Sequence, residues 1–110
     1  MDPIGMSDTL ARLEATIASR KGADPQTSYV ASLFAKGRPK IARKLGEEAV
    51  EAIVAALAED KASLTGEAAD ILFHLMVLLA DCDVPLADVL AELDRREGTS
   101  GHDEKASRTA

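Results

Sequence analysis

Acidic residues recur at three-residue spacing in two neighbouring segments of this 110-residue chain. The stretch KLGEEAVE, residues 44–51, contains Glu47, Glu48 and Glu51, and the stretch GEAAD, residues 66–70, contains Glu67 and Asp70. On an α-helix, residues three apart lie on the same face, so each segment directs a pair of carboxylates to one side. A short connection between the two segments predicts an antiparallel hairpin in which the two pairs face each other.

Four converging carboxylates are unfavourable unless something neutralises them, because like charges repel more strongly as they lose water. Mg²⁺ does this well, since it prefers oxygen ligands and keeps some of its own waters. The pattern therefore predicts Mg²⁺ as cofactor, with Glu48, Glu51, Glu67 and Asp70 as its ligands. It also predicts hydrolysis of a phosphoanhydride, in which a carboxylate orients or deprotonates the attacking water. The candidates for that catalytic role are Glu47, Glu48 and Glu51.

Basic residues precede the first acidic pair on the same predicted helix. Lys44 falls on the stripe of Glu48, with Lys40 and Arg43 close by, and all three are candidates for binding substrate phosphates. The alternative is a solvated acidic face, on which Arg43 to Glu47 and Lys44 to Glu48 form ordinary i,i+4 ion pairs. The second acidic pair stands at the start of the most apolar helix, which favours the metal site.

Hydrophobic periodicity predicts the elements that must position these side chains. Apolar residues at helical spacing and the breaks between them give five helices, over residues 7–21, 28–36, 39–60, 62–83 and 86–97. With aromatic residues at 3% and Ala and Leu abundant, the composition favours helix over strand. The fold class is therefore all-α, an antiparallel bundle of four to five helices. Tyr29 and Phe34 are predicted to be core residues, with Tyr29 also able to offer its ring or hydroxyl to a substrate, and His74 is predicted to be a satisfied core or interface histidine.

Composition limits the classes of partner and the number of domains. A net charge of −6 argues against nucleic acid, which is bound by clustered Lys and Arg. The single Cys82, the absence of a secretory signal and an apolar run, 71–80, too short for a bilayer predict a cytoplasmic protein without a membrane partner. We expect one domain over 7–97, a disordered leader at 1–6 and a flexible tail at 98–110.

The acidic pattern resembles the signature of the all-α, MazG-like nucleoside triphosphate pyrophosphatase superfamily, an E-x-x-E pair followed by E-x-x-D on the next helix. Together with the stretches SYVASLFAKG, KLGEEAVE, GEAADILFHLMVLL and SGHDEKASR, the chain from about Leu10 is similar to the phosphoribosyl-ATP pyrophosphohydrolase family. The resemblance implies cleavage of phosphoribosyl-ATP by water to phosphoribosyl-AMP and pyrophosphate, the second step of histidine biosynthesis. It also implies Mg²⁺ on the four acids.

The resemblance carries further expectations about assembly and the tail. Relatives assemble as helical dimers or tetramers, so a homodimer or homotetramer is expected, and the thin core of a 110-residue helical chain agrees with this. The tail resembles the closing segment of the family, in which Lys105 and Arg108 would bind substrate phosphates. Two other functions stay open from the residues alone. One is a house-cleaning nucleoside triphosphate pyrophosphatase, and the other is a non-catalytic helical dimerisation module.

Overall fold

The computed structural model describes residues 6–97, which form five α-helices and contain no strand, confirming the all-α prediction. The predicted leader falls on residues 1–6 and α1 begins at Met6. The predicted tail, with Lys105 and Arg108, lies outside the described residues. In chain order the helices are α1 (Met6–Ser19), α2 (Tyr29–Lys36), α3 (Arg38–Ala58), α4 (Lys61–Asp81) and α5 (Leu86–Glu97).

Local chemistry explains where the central helices begin and end. The Ser28 side chain accepts a hydrogen bond from the Ala31 N–H at 3.1 Å, and so caps the start of α2. Gly37 stops that helix with φ of 98°, a backbone conformation that few side chains tolerate. Pro39 then sits in the first turn of α3, where its missing N–H costs nothing. Asp60 caps α4 by accepting from the Ser63 N–H at 2.8 Å.

Helices α3 and α4, of 21 residues each, form the predicted antiparallel hairpin. At its open end, Arg38 donates to the Asp81 carboxylate at 2.7 Å and to the Asp81 carbonyl at 2.9 Å. Nearby, Lys21 donates to the Ala80 carbonyl at 2.7 Å and so ties the loop after α1 to the end of α4. These contacts hold the start of α3 against the end of α4 and fix the register of the hairpin.

One hydrophobic core covers only part of this hairpin. Its buried members come from all five helices and the largest lie at the open end: Ile17, Val30, Leu33, Ile41, Met76, Val77 and Leu86. We call residues 38–48 and 70–81 the proximal half of the hairpin, because α1 and α2 pack there. Residues 49–58 and 61–69, beyond them, are the distal half. The carboxylates of interest stand at the junction of the two halves.

The distal half leaves a stripe of apolar side chains in solvent. Val50, Ile53, Val54 and Leu57 follow helical spacing along α3 and are 59%, 58%, 46% and 83% exposed. The radius of gyration, 16.0 Å, exceeds the roughly 13 Å of a compact chain of this length. The single chain therefore keeps part of its apolar surface unpacked.

Tyr29 is 51% exposed, so the prediction of a core position is wrong for it. Tyr29 is the first residue of α2, and one face of its ring stacks on Phe73. Phe34 packs on the core as predicted.

Helix α4 as a whole is long and apolar enough to cross a membrane by length and composition alone, although its uninterrupted apolar run is short. In the described residues 17% of that apolar window is buried, and α4 supplies core residues Met76 and Val77.

Candidate active site

Three carboxylates from the two facing helices converge at the junction of the hairpin. Glu48 of α3 and Glu67 and Asp70 of α4 each offer one oxygen, and these oxygens all lie within 4.8 Å of one another. Glu48 is buried, Glu67 is half-buried and Asp70 is exposed, so the cluster opens from the helix interface toward solvent. The spacing on both helices brings these three predicted ligands together across the hairpin.

The fourth predicted ligand, Glu51, stands beside this cluster. It is exposed on α3 and is the strongest influence on the Glu48 carboxyl. It also borders a cavity of about 230 Å³ whose lining includes Glu67. Glu51 therefore lies next to the three-carboxylate group, one helical turn further along α3.

Crowding of acids changes the protonation of Glu48. Its pKa is raised, first because protonated Glu48 can donate a hydrogen bond to Glu51, then because burial penalises its charge, and then because Glu51 and Asp70 repel it. Lys44 opposes this shift. The Oε2 atoms of Glu48 and Glu67 are also buried without a hydrogen-bond partner within the described chain. The site thus concentrates negative charge that Lys44 offsets only in part.

Lys44 is the basic group that the structure brings to these acids. Its Nζ lies 3.6 Å from Glu47 Oε1 and 3.6 Å from Glu48 Oε1, so it pairs with both glutamates. The pKa of Lys44 is raised, chiefly by the nearby Tyr29 oxygen and also by the two glutamates. The ammonium group is held at the edge of the acidic cluster and keeps its charge.

The other predicted site residues of α3 lie around this centre. Glu47 is half-exposed and borders, with Arg43, Val50 and Glu51, an open cavity of about 590 Å³ on the flank of α3. The structure thus places Arg43 beside Glu47 and Glu51 rather than on the carboxylate cluster. Lys40 is half-buried one turn before Lys44 on the same helix.

The sequence analysis treated His74 and Tyr29 separately and did not predict the hydrogen bond between them. His74 is buried, at 4% exposure, as predicted for a satisfied histidine. Its Nε2 lies 3.0 Å from the Tyr29 hydroxyl and its Nδ1 lies 2.8 Å from the Asp70 carbonyl oxygen. The one available signal was the four-residue spacing of Asp70 and His74, which places a histidine over the turn that carries an acidic residue.

The donor set fits a hard divalent cation. Carboxylate oxygens are the ligands that Mg²⁺ prefers, and three of them from two helices can be reached from one point between them. The unpartnered buried oxygens of Glu48 and Glu67 are lone pairs that a cation would satisfy. Such a site is also open on one side, where Asp70 and Glu51 meet solvent. A phosphate-bearing ligand can therefore approach it.

Comparison with known proteins gives a consistent result. A family model described as phosphoribosyl-ATP pyrophosphohydrolase matches residues 10–97. A phosphoribosyl-ATP pyrophosphatase of Rhizorhabdus wittichii is 72% identical over 103 residues, covering 94% of this chain and 97% of that protein. The enzymes of the same name from Dinoroseobacter shibae and Novosphingobium aromaticivorans are 68% and 66% identical. These two matches cover 90% and 93% of this chain, and 97% and 95% of the respective relatives. The matched region contains all four predicted metal ligands.

Proposed function

The chain belongs to the phosphoribosyl-ATP pyrophosphohydrolase family, and we propose that its junction carboxylates bind Mg²⁺ and bring about the hydrolysis of phosphoribosyl-ATP. The enzyme is a hydrolase of histidine biosynthesis that converts phosphoribosyl-ATP to phosphoribosyl-AMP and pyrophosphate. The observation that carries this assignment to particular residues is the convergence of Glu48, Glu67 and Asp70 within 4.8 Å. A purely solvated acidic face would have no reason to bury the Glu48 and Glu67 oxygens unpaired.

The proposed metal ligands are Glu48, Glu67 and Asp70, with Glu51 as the fourth carboxylate. Glu51 is included because it lies against Glu48 and borders the same cavity as Glu67. A divalent cation held there would neutralise phosphate oxygens and would stabilise the negative charge that develops on the leaving group. The pKa of Glu48 is raised by its hydrogen bond with Glu51, by burial and by repulsion from Glu51 and Asp70, and a cation bound there would relieve that repulsion.

The remaining groups have roles that follow from their positions. Lys44 is proposed to hold a substrate phosphate, because its ammonium stands at the edge of the cluster and keeps its charge. Glu47 pairs with Lys44 and borders the flanking cavity together with Glu51, so we assign it to orienting the attacking water. Arg43 on that cavity, Lys40 and, beyond the described residues, Lys105 and Arg108 are proposed as further phosphate-binding groups.

We also propose that the enzyme acts as a homodimer or homotetramer in the cytoplasm, without nucleic acid or membrane as partners. The exposed stripe Val50, Ile53, Val54 and Leu57 supports assembly, since a contiguous apolar surface of this kind favours burial against another chain. Leu57→Asp should then lower the sedimentation coefficient to that of a monomer while the far-ultraviolet circular dichroism stays helical. An unchanged coefficient for this variant would remove the stripe from the interface.

The function is tested by incubating the protein with phosphoribosyl-ATP and Mg²⁺ and measuring pyrophosphate release. We expect release that stops on chelation and falls at least a hundredfold in Asp70→Asn, which removes a ligand charge but preserves the size of the side chain. A matched control is Asp88→Asn, since Asp88 is an exposed aspartate in the first turn of α5. Full activity of Asp70→Asn, or no release by the wild type, would contradict the proposal.

The same assay separates the substrate assignment from the house-cleaning alternative. Turnover of dUTP and dCTP is measured beside phosphoribosyl-ATP at equal concentrations. We expect phosphoribosyl-ATP to be preferred by at least two orders of magnitude in kcat/KM. A preference for the deoxynucleotides would transfer the same carboxylate chemistry to a different class of substrate.

A further inference from the structure

Two part-buried hydrogen bonds link α2 to the acidic turn of α4. The Tyr29 hydroxyl lies 3.0 Å from His74 Nε2, and His74 Nδ1 lies 2.8 Å from the main-chain carbonyl oxygen of Asp70. Asp70 belongs to the carboxylate cluster, whereas Tyr29 and His74 do not. This series of hydrogen bonds therefore ends on the main-chain carbonyl of a proposed metal ligand rather than on its carboxylate.

The Asp70 carbonyl fixes the direction of one hydrogen bond, and the direction of the other follows for a neutral imidazole. A main-chain carbonyl can only accept, so Nδ1 of His74 must carry the proton it donates to Asp70. A neutral imidazole protonated at Nδ1 has an acceptor at Nε2, so the Tyr29 hydroxyl donates to it. Both nitrogens of the buried ring are then satisfied with no charge introduced.

Ring packing holds this arrangement in one geometry. His74 meets Phe73 edge-on, with ring centroids 5.1 Å apart, and meets Tyr29 edge-on at 5.9 Å. Tyr29 in turn stacks on Phe73 at 6.1 Å. Three rings from two helices restrict the rotation of one another, so the imidazole cannot turn away from the Asp70 carbonyl without losing these contacts.

We propose that Tyr29 and His74 are positioning residues that fix the Asp70 turn, and with it the Asp70 carboxylate, relative to Glu48 and Glu67. The inference rests on the proposed function, in which those carboxylates bind Mg²⁺. Neither residue reacts with substrate in this account. Their hydrogen bonds hold the Asp70 turn in the one arrangement in which its carboxylate meets Glu48 and Glu67. A leucine at position 74 would fill the same space without directing this turn.

The test measures two quantities for Tyr29→Phe and His74→Asn: kcat/KM for phosphoribosyl-ATP, and the Mg²⁺ concentration that produces half of the full rise in melting temperature. Tyr29→Phe removes one hydroxyl and keeps the ring stack. His74→Asn can keep a donor near the Asp70 carbonyl but is too short to reach Tyr29. We expect kcat/KM to fall about fivefold to tenfold in Tyr29→Phe and its Mg²⁺ midpoint to rise about threefold, because the Asp70 turn is then less restricted and must be ordered when the cation binds. A Tyr29→Phe enzyme equal to the wild type in both readouts would overturn the proposal.

The double variant distinguishes positioning from direct contact with substrate. If Tyr29 acts only through His74, then adding Tyr29→Phe to His74→Asn changes kcat/KM by less than twofold. If the hydroxyl binds substrate itself, the two losses multiply and the positioning role is wrong. The matched control is Met76→Ala, since Met76 is buried to the same 4% exposure on α4. It should lower the melting temperature but keep the Mg²⁺ midpoint within twofold.

The Mg²⁺ midpoint also separates this inference from the choice of substrate. A wild type that binds Mg²⁺ but releases no pyrophosphate would contradict the proposed function, while the midpoints of the variants would still decide whether Tyr29 and His74 position the ligands. A wild type that hydrolyses phosphoribosyl-ATP with unaltered midpoints in both variants would contradict the positioning alone.

Discussion

The proximal and distal halves of the α3–α4 hairpin are both helical but have opposite surroundings. In the proximal half, Ile41 and Val77 are fully buried beneath α1 and α2, and Arg38 and Asp81 close the open end. In the distal half, Val50 and Leu57 on the same α3 are 59% and 83% exposed. The two halves are continuous helices, so the difference comes from what packs on them and not from their own secondary structure.

This difference shows how the site is supported. The proximal half is a packed scaffold whose side chains are fixed by neighbours on several sides. The distal half is held within the single chain mainly by contact between α3 and α4, for example through buried Ala55. The carboxylates stand at the junction, with Glu48 and Asp70 on the packed side and Glu51 and Glu67 on the open side. The packed side buries Glu48 at the helix interface, while the exposed Asp70 and Glu51 leave the site accessible from solvent.

The largest expected effect comes from removing the same atoms in each half. Ile41→Ala should lower the free energy of unfolding by about 2–5 kcal/mol, because it leaves a cavity in the core. Ile53→Ala on the same helix, where the side chain is 58% exposed, should cost less than about 1 kcal/mol in the isolated chain. Both are measured by urea denaturation at several protein concentrations.

The concentration series decides what an unexpected result means. A cost at Ile53 that grows with protein concentration would show that a second chain covers the distal half. An equal, concentration-independent cost at both positions would contradict the comparison, since it would place the distal stripe in the core of the single chain.

A smaller effect is expected from removing one hydroxyl in each half. Ser28→Ala removes the cap of α2 beside the proximal half and should cost about 1 kcal/mol. Thr65→Ala removes a hydroxyl of the distal half that donates to the Lys61 carbonyl one turn earlier, at 2.8 Å, and should change stability by less than about 0.5 kcal/mol. Thermal denaturation at one protein concentration measures both. A larger loss of stability for Thr65→Ala than for Ser28→Ala would contradict the view that side-chain contacts stabilise the proximal half more than the distal half.

The smallest effect is a pH dependence at the junction. Because the pKa of Glu48 is raised in the folded protein, the folded state binds its proton before the unfolded state does as pH falls. That contribution to stability is fully present below the unfolded pKa, near 4.5, and is lost as pH rises through the folded value. Without divalent cations, the wild type should therefore lose stability relative to Glu48→Gln across this window.

The control for this pH dependence is a carboxylate shifted in the opposite direction. Arg95 and Arg96 lower the pKa of Glu92 to about 2, so its contribution is present above about 4.5 and is lost as pH falls toward 2. The difference between wild type and Glu92→Gln should accordingly shrink on acidification. If wild type and Glu48→Gln keep a constant difference in melting temperature from pH 4.5 upward, the raised pKa of Glu48 is contradicted.

Much of this architecture could be predicted from the sequence because its signals are local. The positions of Gly37, Pro39 and Pro85 and the helical spacing of apolar residues were enough to place five helices and the hairpin. The three-residue spacing of the acids then determined which of them share a face. The spacing, together with the short connection between α3 and α4, predicted that Glu48, Glu67 and Asp70 face one another, and the structure places them so.

What the sequence did not reveal depends on long-range packing. The half-exposed position of Tyr29 follows from how the start of α2 lies against α4, and its hydrogen bond to His74 spans 45 residues. Amphipathic spacing also cannot distinguish a face buried within the chain from one left open, as Ile41 and Ile53 demonstrate on one helix. Predicting such features requires knowing how the helices pack against one another, and not only where each helix begins and ends.

The central claim is that the junction carboxylates form a divalent-cation site, and thermal denaturation in EDTA and in rising Mg²⁺ tests it most directly. We expect the melting temperature of the wild type to rise with Mg²⁺, by about 6–11 °C once the cation reaches tenfold its dissociation constant. Glu67→Gln, which removes one buried ligand charge, should rise by less than half as much, and Glu92→Gln by as much as the wild type. Equal rises in wild type and Glu67→Gln, or no rise in either, would contradict the account.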